Sequence, residues 1–211
     1  MPGTDGDTGE TTPEGEPGRN AGVLLAAGMS RRVGQLKQLL DWSGRSILCH
    51  VAGVLLDAGL HPVIVVLGHQ RDRLAVELRG MDVHIVENPD YEAGMFGSVR
   101  CGLAALPRDA TRCVVALVDV PGVDADVVRQ LVGTHEDRGA AVVVPRHAGQ
   151  TGHPVVLDRR VIDAALAADP TVTLRDVLTG FADRTVYVDV ETDSVVRDID
   201  TLRDYEQQRP R

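Results

Sequence analysis

Several features that would point to particular classes of protein are scarce or missing in this sequence. Its three cysteines, Cys49, Cys101 and Cys113, are odd in number and have no CxxC spacing, so neither a disulfide framework nor a zinc cluster is predicted. No apolar run approaches the roughly 18 residues that a membrane-spanning helix needs. The net charge of −9 argues against a nucleic-acid or anionic-membrane partner, because either would be repelled on average.

Lysine is the scarcest charged residue. Lys37 is the only lysine, and the remaining 21 of the 22 basic residues are arginine. Arginine therefore replaces lysine wherever a general positive charge is sufficient. A position that keeps lysine is expected to need a compact ammonium group, which the planar guanidinium of arginine does not provide.

The N-terminal segment has almost no apolar side chains. Residues 1–20 consist mainly of glycine, proline, threonine and acidic residues, which predicts a disordered tail followed by one domain over residues 21–208. The segment lacks the apolar core of a signal peptide, so we expect a cytoplasmic protein.

From residue 21 onward, apolar runs alternate with segments of helical period. Strands buried on both faces are predicted at 22–27, 62–67, 83–87, 112–118 and 140–145, and helices at 47–57, 69–78, 96–106 and 125–138. The less regular remainder, from 153 to 207, predicts an antiparallel excursion that includes 153–157 and 185–190, and a closing helix. We expect an α/β fold, a Rossmann-like three-layer sandwich with a mostly parallel sheet and a small antiparallel excursion.

The loop after the first predicted strand carries the lone lysine. Open parallel sheets bind ligands beyond the carboxyl ends of their strands, which is where this loop lies. Gly28 and Gly34 are separated by five residues, so the loop is not a Walker A motif, and the dinucleotide fingerprint GxGxxG is also absent. Its glycines and basic side chains could cradle an anion. The alternative is a solvated surface loop with scattered basic residues.

The run LAAGMSRRVGQLK (25–37) resembles the signature LAAGxSxRMGxxK of nucleotidyltransferases similar to the molybdopterin cytidylyl- and guanylyltransferases, with Val33 in place of methionine. The resemblance implies a fold like that of the nucleotide-diphospho-sugar transferases and a loop that wraps the triphosphate of an NTP. The NTP-binding residues that it implies are Leu25, Ala26, Ala27, Gly28, Ser30, Arg31, Arg32, Gly34, Lys37, Asn88, Ser98 and Arg100. Arg32 and Lys37 are expected on the phosphates.

Two further motifs imply a metal site. LVDVP (117–121) resembles the family element GDxP, and DIDTLRDY (198–205) resembles its closing element DIDTPEDL. Asp119 and Asp200 are therefore the expected ligands of Mg²⁺, which prefers oxygen ligands. We expect their carboxylates to face a common cleft that also receives Lys37, and to repel each other when no metal is bound. Arg32, Lys37 and Asp119 are the expected catalytic residues. For both aspartates the alternative is a helix N-cap.

NPDYEAGMFGSVR (88–100) resembles the family stretch NPxxxxGxxxSxxxG, which Gly102 completes. We expect Ser98 and Arg100 on the first turn of a helix, where a hydroxyl and free N–H groups can contact a base or a phosphate. The alternative is that Ser98 only caps the helix.

The acceptor half of the site is less well defined. GQTGHP (149–154) resembles the family element GxxGHP, which implies acceptor contacts from Gly152, His153 and Pro154. The expected GDxGAR is replaced by ADPTVTLRD (168–176), in which Arg175 is the candidate substitute for the missing arginine. The sequence therefore does not identify the acceptor.

Together these patterns predict a Mg²⁺-dependent enzyme that moves CMP or GMP from an NTP to a small phosphorylated acceptor, such as a molybdopterin-type cofactor, and releases pyrophosphate. Such chemistry needs positioning and charge stabilisation rather than a dedicated general base. The predicted partners are the NTP and the acceptor, without nucleic acid or membrane, for a monomer or dimer. The alternatives are a nucleotide-binding regulatory protein that has lost transfer activity and an oxidoreductase, since some relatives with this loop carry that name.

Overall fold

The structure, a computed structural model, describes residues 19–30 and 32–210. Of the predicted N-terminal tail, residues 1–18 lie outside the described residues. The first strand, β1 (Arg19–Leu25), begins two residues before the predicted start of the domain. Asn20 is part of the fold, because its carbonyl accepts a hydrogen bond from the backbone N–H of His61 at 2.9 Å and its side-chain oxygen accepts one from Arg112 at 2.8 Å.

Strands and helices alternate along the first two thirds of the chain, as predicted. The strands after β1 are β2 (Asp41–Trp42), β3 (Arg45–Ser46), β4 (Val63–Leu67), β5 (Val83–Glu87), β6 (Ala110–Leu117), β7 (Val142–His147), β8 (Gln150–Thr151), β9 (Val155–Asp158) and β10 (Thr185–Asp189). The helices are α1 (Ile47–Asp57), α2 (Arg71–Glu77), α3 (Met95–Ala104), α4 (Ala125–Arg138), α5 (Arg159–Ala167), α6 (Leu174–Thr179) and α7 (Leu202–Gln208).

One sheet organises the domain. Its strand order is β10-β7-β9-β6-β1-β4-β5, with β8 paired to β7. Parallel pairing joins β6, β1, β4 and β5, and also β10 to β7, whereas β9 runs antiparallel to both of its neighbours. The mostly parallel sheet with an antiparallel excursion is therefore confirmed.

Helices cover both faces of this sheet. In β1, Leu24 packs into the core on the side of α1, α2, α4 and α7, whereas Val23 and Leu25 pack on the side of α3 and α5. Successive side chains of a strand point to opposite faces, so each buried strand contributes to two cores. The result is the expected three-layer α/β sandwich. Within the described part of the chain, none of the helices combines the length and the apolar character that crossing a membrane requires.

Local chemistry explains where the longest helix begins and ends. The carboxylate of Asp124 accepts a hydrogen bond from the backbone N–H of Val127 at 2.9 Å and so caps α4. Gly139 follows the helix with a φ of +56°, which ends the helix in a left-handed conformation that glycine adopts without steric cost.

Two sequence-based expectations for individual strands were wrong. The strand at 83–87 is not buried on both faces, because β5 is an edge strand, and Ile85 is 37% exposed. The strand at 185–190 is not part of the antiparallel excursion, because β10 pairs in parallel with β7. Both outcomes depend on strand order, which the hydrophobic pattern of a single strand does not encode.

The order of the strands creates a switch point beside β1. The chain runs from β1 outward through β4 to β5, and then returns to place β6 on the other side of β1. The loops that follow β1 and β6 therefore leave the sheet side by side at its carboxyl edge. This is the position at which open α/β sheets bind ligands.

Candidate active site

Lys37 lies at this switch point and reaches across it. The loop after β1 leads into a short 3₁₀ turn (Lys37–Leu39), and the Lys37 Nζ donates to Oδ2 of Asp119 at 2.9 Å. Asp119 follows β6, the neighbour of β1 in the sheet. The same ammonium donates to the carbonyl of Ile199 at 3.1 Å, and the Lys37 side chain is only 12% exposed. The lysine thus joins the β1 loop, the end of β6 and the segment before α7.

A second ion pair lies beside the first. The guanidinium of Arg32 donates to the carboxylate of Asp200 through two nitrogens, at 2.8 and 2.7 Å. This pair is the more exposed one, since the side chains of Arg32 and Asp200 are 71% and 30% exposed. The backbone connects the two pairs, because the N–H of Ile199 donates to the carbonyl of Asp119 at 2.7 Å.

Neither aspartate caps a helix. The N-cap of α7 is Thr201, which forms a capping box with Asp204, and the N-cap of α4 is Asp124. The carboxylates of Asp119 and Asp200 are therefore available to the β1 loop, and the helix-cap alternatives are excluded.

These four charged side chains line one cleft of about 370 Å³. The predicted convergence of Asp119, Asp200 and Lys37 is therefore observed. The remaining residues of the wall come from the end of β1 and the segment that follows it, from the start of α3 and the residues before it, and from the end of β6: Leu25, Ala27, Gly28, Met29, Ser30, Val33, Gln38, Tyr91, Gly94, Met95, Ser98, Leu117 and Val118. A larger hollow of about 760 Å³ lies at the opposite edge of the sheet, beside Arg19, His61 and Ile85, and contains none of the loop residues.

The charges in the cleft differ from the sequence-based expectation in one respect. Asp119 and Asp200 were expected to be unpaired carboxylates that repel each other, but each has a cationic partner from the loop. Oδ1 of Asp119 is nevertheless buried without a hydrogen-bond partner. Among the described residues, no three His, Cys, Asp or Glu side chains are grouped to hold a metal ion.

Gln38 is a site residue that sequence reasoning missed. Its side chain is fully buried, and its amide contacts the β1 loop at three points, Ala26, Gly28 and Ser30. A glutamine inside the apolar run that surrounds it, LKQLL (36–40), was the available signal, because a buried amide needs hydrogen-bond partners.

Asn88 and Ser98 form a buried pair beside the cleft. The Nδ2 of Asn88 donates to the Ser98 hydroxyl oxygen at 2.9 Å, and Oδ1 of Asn88 accepts from the backbone N–H of Asp90 at 3.1 Å. Asn88 is 3% exposed and is absent from the cleft wall, whereas Ser98 lines it. The N-cap of α3 is Gly94, so Ser98 does not cap the helix. Asn88 thus orients Ser98 rather than facing the cleft.

Arg100 does not reach the cleft. It lies on the second turn of α3 rather than the first, and its guanidinium donates to the carbonyl of Leu166 at 3.1 Å.

Three residues of the β1 loop that were predicted to bind the NTP are not seen in the cleft wall. Arg31 lies outside the described residues, Gly34 lines a separate outer hollow, and Ala26 is buried behind the cleft. Gly102 has a packing role, since a Cβ there would lie 2.4 Å from the Val23 side chain.

The predicted acceptor residues support the site from behind. Gly152 passes so close to Val195 that a Cβ atom would overlap the Val195 carbonyl, and the backbone N–H of His153 donates to this carbonyl at 2.9 Å. This contact holds the segment that leads to Asp200. The cleft wall includes none of Gly152, His153 and Pro154, nor Arg175, which is exposed on α6.

Burial lowers the pKa of His153, and the negative charge of Asp119 opposes that shift in part. Its Nδ1 is buried without a hydrogen-bond partner. Because desolvation dominates, the imidazole is held neutral near neutral pH and adds no positive charge next to Asp119.

Comparison with known proteins agrees with this geometry. The model of the MobA-like NTP transferase domain matches residues 22–186. The molybdenum cofactor cytidylyltransferase of Escherichia coli is 26% identical over 191 residues, which cover 87% of this chain and 92% of that protein. The nicotine blue oxidoreductase of Paenarthrobacter nicotinovorans is 34% identical over 144 residues, which cover 65% of this chain and 70% of that protein.

Solved structures show the same likeness. The crystal structure of Rv0371c from Mycobacterium tuberculosis has a TM-score of 0.73 and 29% identity, covering 90% of this chain and 97% of that one. A structure of that protein in complex with manganese has a TM-score of 0.69 and 28% identity, with 90% and 97% coverage. With a family model that spans most of its domain and relatives that match nearly from end to end, this chain is a nucleotidyltransferase and belongs to the family of MobA-like NTP transferase domains.

Proposed function

We propose that the enzyme transfers CMP or GMP from an NTP, with Mg²⁺, to a small anionic acceptor such as a molybdopterin-type cofactor and releases pyrophosphate. The observation that carries this proposal is the double ion pair across the cleft, Lys37 with Asp119 and Arg32 with Asp200. It brings two cations suited to a triphosphate and two carboxylates suited to a divalent ion into one cleft. The name of the E. coli relative, a molybdenum cofactor cytidylyltransferase, supports CMP and the acceptor class.

The two cations have different tasks in this proposal. Lys37 is held rigidly by Asp119 and the Ile199 carbonyl, so its ammonium forms a fixed point charge at the base of the cleft. Arg32 is mostly exposed, and it can move from Asp200 to the phosphates when the nucleotide enters. A guanidinium binds a phosphate through two parallel hydrogen bonds, which fixes the orientation of the triphosphate.

The carboxylates fit a divalent ion. Oδ1 of Asp119 is buried without a partner, and a lone carboxylate oxygen in such a place is stabilised by a cation. Asp119 and Asp200 would hold the ion, and oxygen ligands are those that Mg²⁺ prefers. When bound, the ion would neutralise negative charge on the phosphates.

The chemistry needs little else from the protein. An anionic oxygen of the acceptor attacks the α-phosphorus, a new P–O bond forms, and the bond between the α-phosphorus and the bridging oxygen breaks. The electron pair of that bond leaves with pyrophosphate, whose charge Lys37 and Arg32 stabilise. Because the attacking oxygen is already ionised, no general base has to remove a proton.

Pyrophosphate release tests the proposal. CTP or GTP is incubated with Mg²⁺ and molybdopterin, and release is expected only when nucleotide, metal and acceptor are all present. Lys37→Ala should abolish release, whereas Arg79→Ala, which removes an exposed arginine of the loop after α2, should leave it unchanged. Release that persists in Lys37→Ala would contradict the assigned role of the cleft.

A binding panel separates this proposal from its alternatives. The panel contains CTP, GTP, ATP and UTP. It also contains NADH and NADPH, because one relative is named an oxidoreductase. Thermal stabilisation by an NTP with Mg²⁺, and not by either dinucleotide, is the expected result. Stabilisation by NADH or NADPH alone would favour the oxidoreductase. NTP binding without pyrophosphate release from any acceptor would favour a regulatory protein. We also propose that the enzyme acts in the cytoplasm, where its nucleotide substrate is abundant.

A further inference from the structure

The β1 loop is built around the side-chain amide of Gln38. This residue follows Lys37 directly and is 0% exposed. Its Nε2 donates to the carbonyls of Ala26 and Gly28 at 3.1 and 2.8 Å, and its Oε1 accepts from the hydroxyl of Ser30 at 3.0 Å. One amide thus satisfies hydrogen-bonding groups at three positions of the loop.

Only a glutamine amide meets these three requirements. A glutamate carboxylate has no N–H to donate to the two carbonyls, and asparagine is shorter by one methylene group. A methionine fills a similar volume but leaves the carbonyls of Ala26 and Gly28 without their donor. The network also fixes which end of the amide is nitrogen, because both contacts of Nε2 are with oxygens that only accept.

This arrangement has an electrostatic consequence for an anionic ligand. The carbonyl oxygens of Ala26 and Gly28 are held against Gln38, which keeps their partial negative charges from turning toward a triphosphate in the cleft. Because the peptide unit is planar and trans, the N–H of each of these peptide units points away from Gln38. Gln38 thus removes two carbonyl acceptors that would otherwise oppose an anion beside the loop.

The same amide stabilises an uncommon backbone conformation at Ser30. Ser30 has a φ of +52°, a region that residues other than glycine rarely adopt. Its hydroxyl is fixed from two sides, since it donates to Oε1 of Gln38 and accepts from the backbone N–H of Lys37 at 3.2 Å. The turn is also closed by the backbone N–H of Val33, which donates to the Ser30 carbonyl at 3.0 Å. Without Gln38, the Ser30 hydroxyl loses one of its two partners, and the link to the segment that carries Lys37 is weakened.

We propose that Gln38 is a positioning residue for nucleotidyl transfer. It sets the shape of the loop that receives the triphosphate, and it acts on NTP affinity through the conformation of this loop. This inference rests on the proposed function, because it assigns the cleft to an NTP. It is independent of which base or acceptor the enzyme prefers.

The test compares Gln38→Met with Leu131→Ala, a control that creates a cavity in the fully buried core of α4. Both variants are expected to lower the melting temperature. The dissociation constant is measured by calorimetry for whichever of CTP, GTP, ATP and UTP the wild type binds with Mg²⁺. We expect about tenfold weaker binding in Gln38→Met, corresponding to about 1.4 kcal/mol, and wild-type affinity in Leu131→Ala.

A spectroscopic measurement distinguishes positioning from general destabilisation. In ¹⁵N–¹H spectra of the nucleotide-free protein, the amide resonances of Gly28 and Ser30 should shift in Gln38→Met and stay in place in Leu131→Ala. In a double-mutant cycle with Ser30→Ala, the effects on affinity should be less than additive, because both substitutions break one network.

The outcomes separate this inference from the function on which it rests. If the wild type binds none of the four NTPs, or if Lys37→Ala binds as the wild type does, the proposed function fails. If Lys37→Ala weakens binding but Gln38→Met keeps wild-type affinity and loop resonances, the Gln38 inference alone is overturned. Should Gln38→Met not fold, Gln38→Asn keeps the amide but withdraws it from the loop. Wild-type affinity in Gln38→Asn would equally overturn the inference.

Discussion

Lys37 and Asp119 are 82 positions apart in the chain, and their side chains meet at 2.9 Å between Nζ and Oδ2. Strand order produces this contact, because β1 and β6 are adjacent and parallel and their following loops leave the same edge of the sheet. The pair places the lone lysine of the sequence against the carboxylate that is most suited to a divalent ion.

Lys37→Ala should weaken NTP binding by about one to two orders of magnitude, since a charge-assisted hydrogen bond contributes about 1.5–3 kcal/mol. Lys37→Arg should also be impaired, because a planar guanidinium does not fit a position where one ammonium contacts both a carboxylate and the Ile199 carbonyl. Calorimetric titration with the preferred NTP measures both effects. Wild-type affinity in Lys37→Arg would show that the position needs only a positive charge.

Asp119→Asn should lower the stability of the metal-free protein. From the sequence alone, the expected effect on stability is a small loss or a gain from relieved repulsion, but the structure pairs Asp119 with a lysine that is 12% exposed. Removing the carboxylate charge leaves that ammonium with only the Ile199 carbonyl and no anionic partner, at a cost of about 1–3 kcal/mol. Chemical denaturation without metal measures the loss. Asp109→Asn, at an exposed ion pair with Arg19, is the control and should have little effect.

Asp200→Asn should separate nucleotide binding from metal-dependent transfer. Loss of the carboxylate charge releases Arg32, which no longer has to leave an ion pair before it contacts the phosphates. Exposed pairs of this kind contribute about 0–1 kcal/mol, so metal-free NTP binding should tighten by up to about fivefold. Transfer in the presence of Mg²⁺ should be lost. Weaker metal-free binding would show that Asp200 organises the loop instead of competing for Arg32.

Acid should destabilise the protein partly through His135. Burial lowers the pKa of this histidine, with a smaller contribution from the charge of Arg112, and both ring nitrogens are buried without hydrogen-bond partners. The unfolded chain therefore takes up a proton near pH 6.5 while the folded protein does not, so stability is lost as pH falls below about 6.5. His50 and His153 have lowered pKa values for the same main reason and add to the slope.

His135→Leu should reduce that pH dependence, by up to about 1.4 kcal/mol per pH unit between pH 6.5 and the lower folded-state pKa. Urea denaturation at pH 7.5, 6.5 and 5.5 measures the slope. His84→Leu, which removes an exposed histidine from β5, should keep the wild-type slope. An unchanged slope in His135→Leu would assign the acid sensitivity to other groups.

Deleting residues 1–18 should leave the melting temperature and NTP affinity unchanged, because the composition of this segment offers almost nothing to bury. Extending the deletion through residue 20 should lower the melting temperature, since Asn20 bonds to His61 and Arg112 and Arg19 pairs with Asp109. Differential scanning calorimetry of the two truncations provides the comparison. A loss of stability in the shorter truncation would show that the tail docks on the domain.

The sequence by itself determined the elements, the layers and the position of the β1 loop. Buried parallel strands have continuous apolar runs and helices have a 3.6-residue period, so β1, β4, β6 and the helices between them could be recognised locally. The spacing of Gly28, Ser30 and Lys37 likewise lies within one loop, where chain connectivity alone keeps the residues together.

Only the tertiary structure decided which charges meet and which side chains face the cleft. Ion pairs such as Arg32 with Asp200 join positions 168 residues apart, and strand order sets their contact. Arg100 donates to the Leu166 carbonyl instead of facing the cleft, and Asn88 is buried and donates to Ser98. Packing around the helix sets both side-chain directions. The role of Gln38 was hidden for the same reason. A buried amide is recognised by the groups that surround it, and in the sequence it is one polar residue in an apolar run.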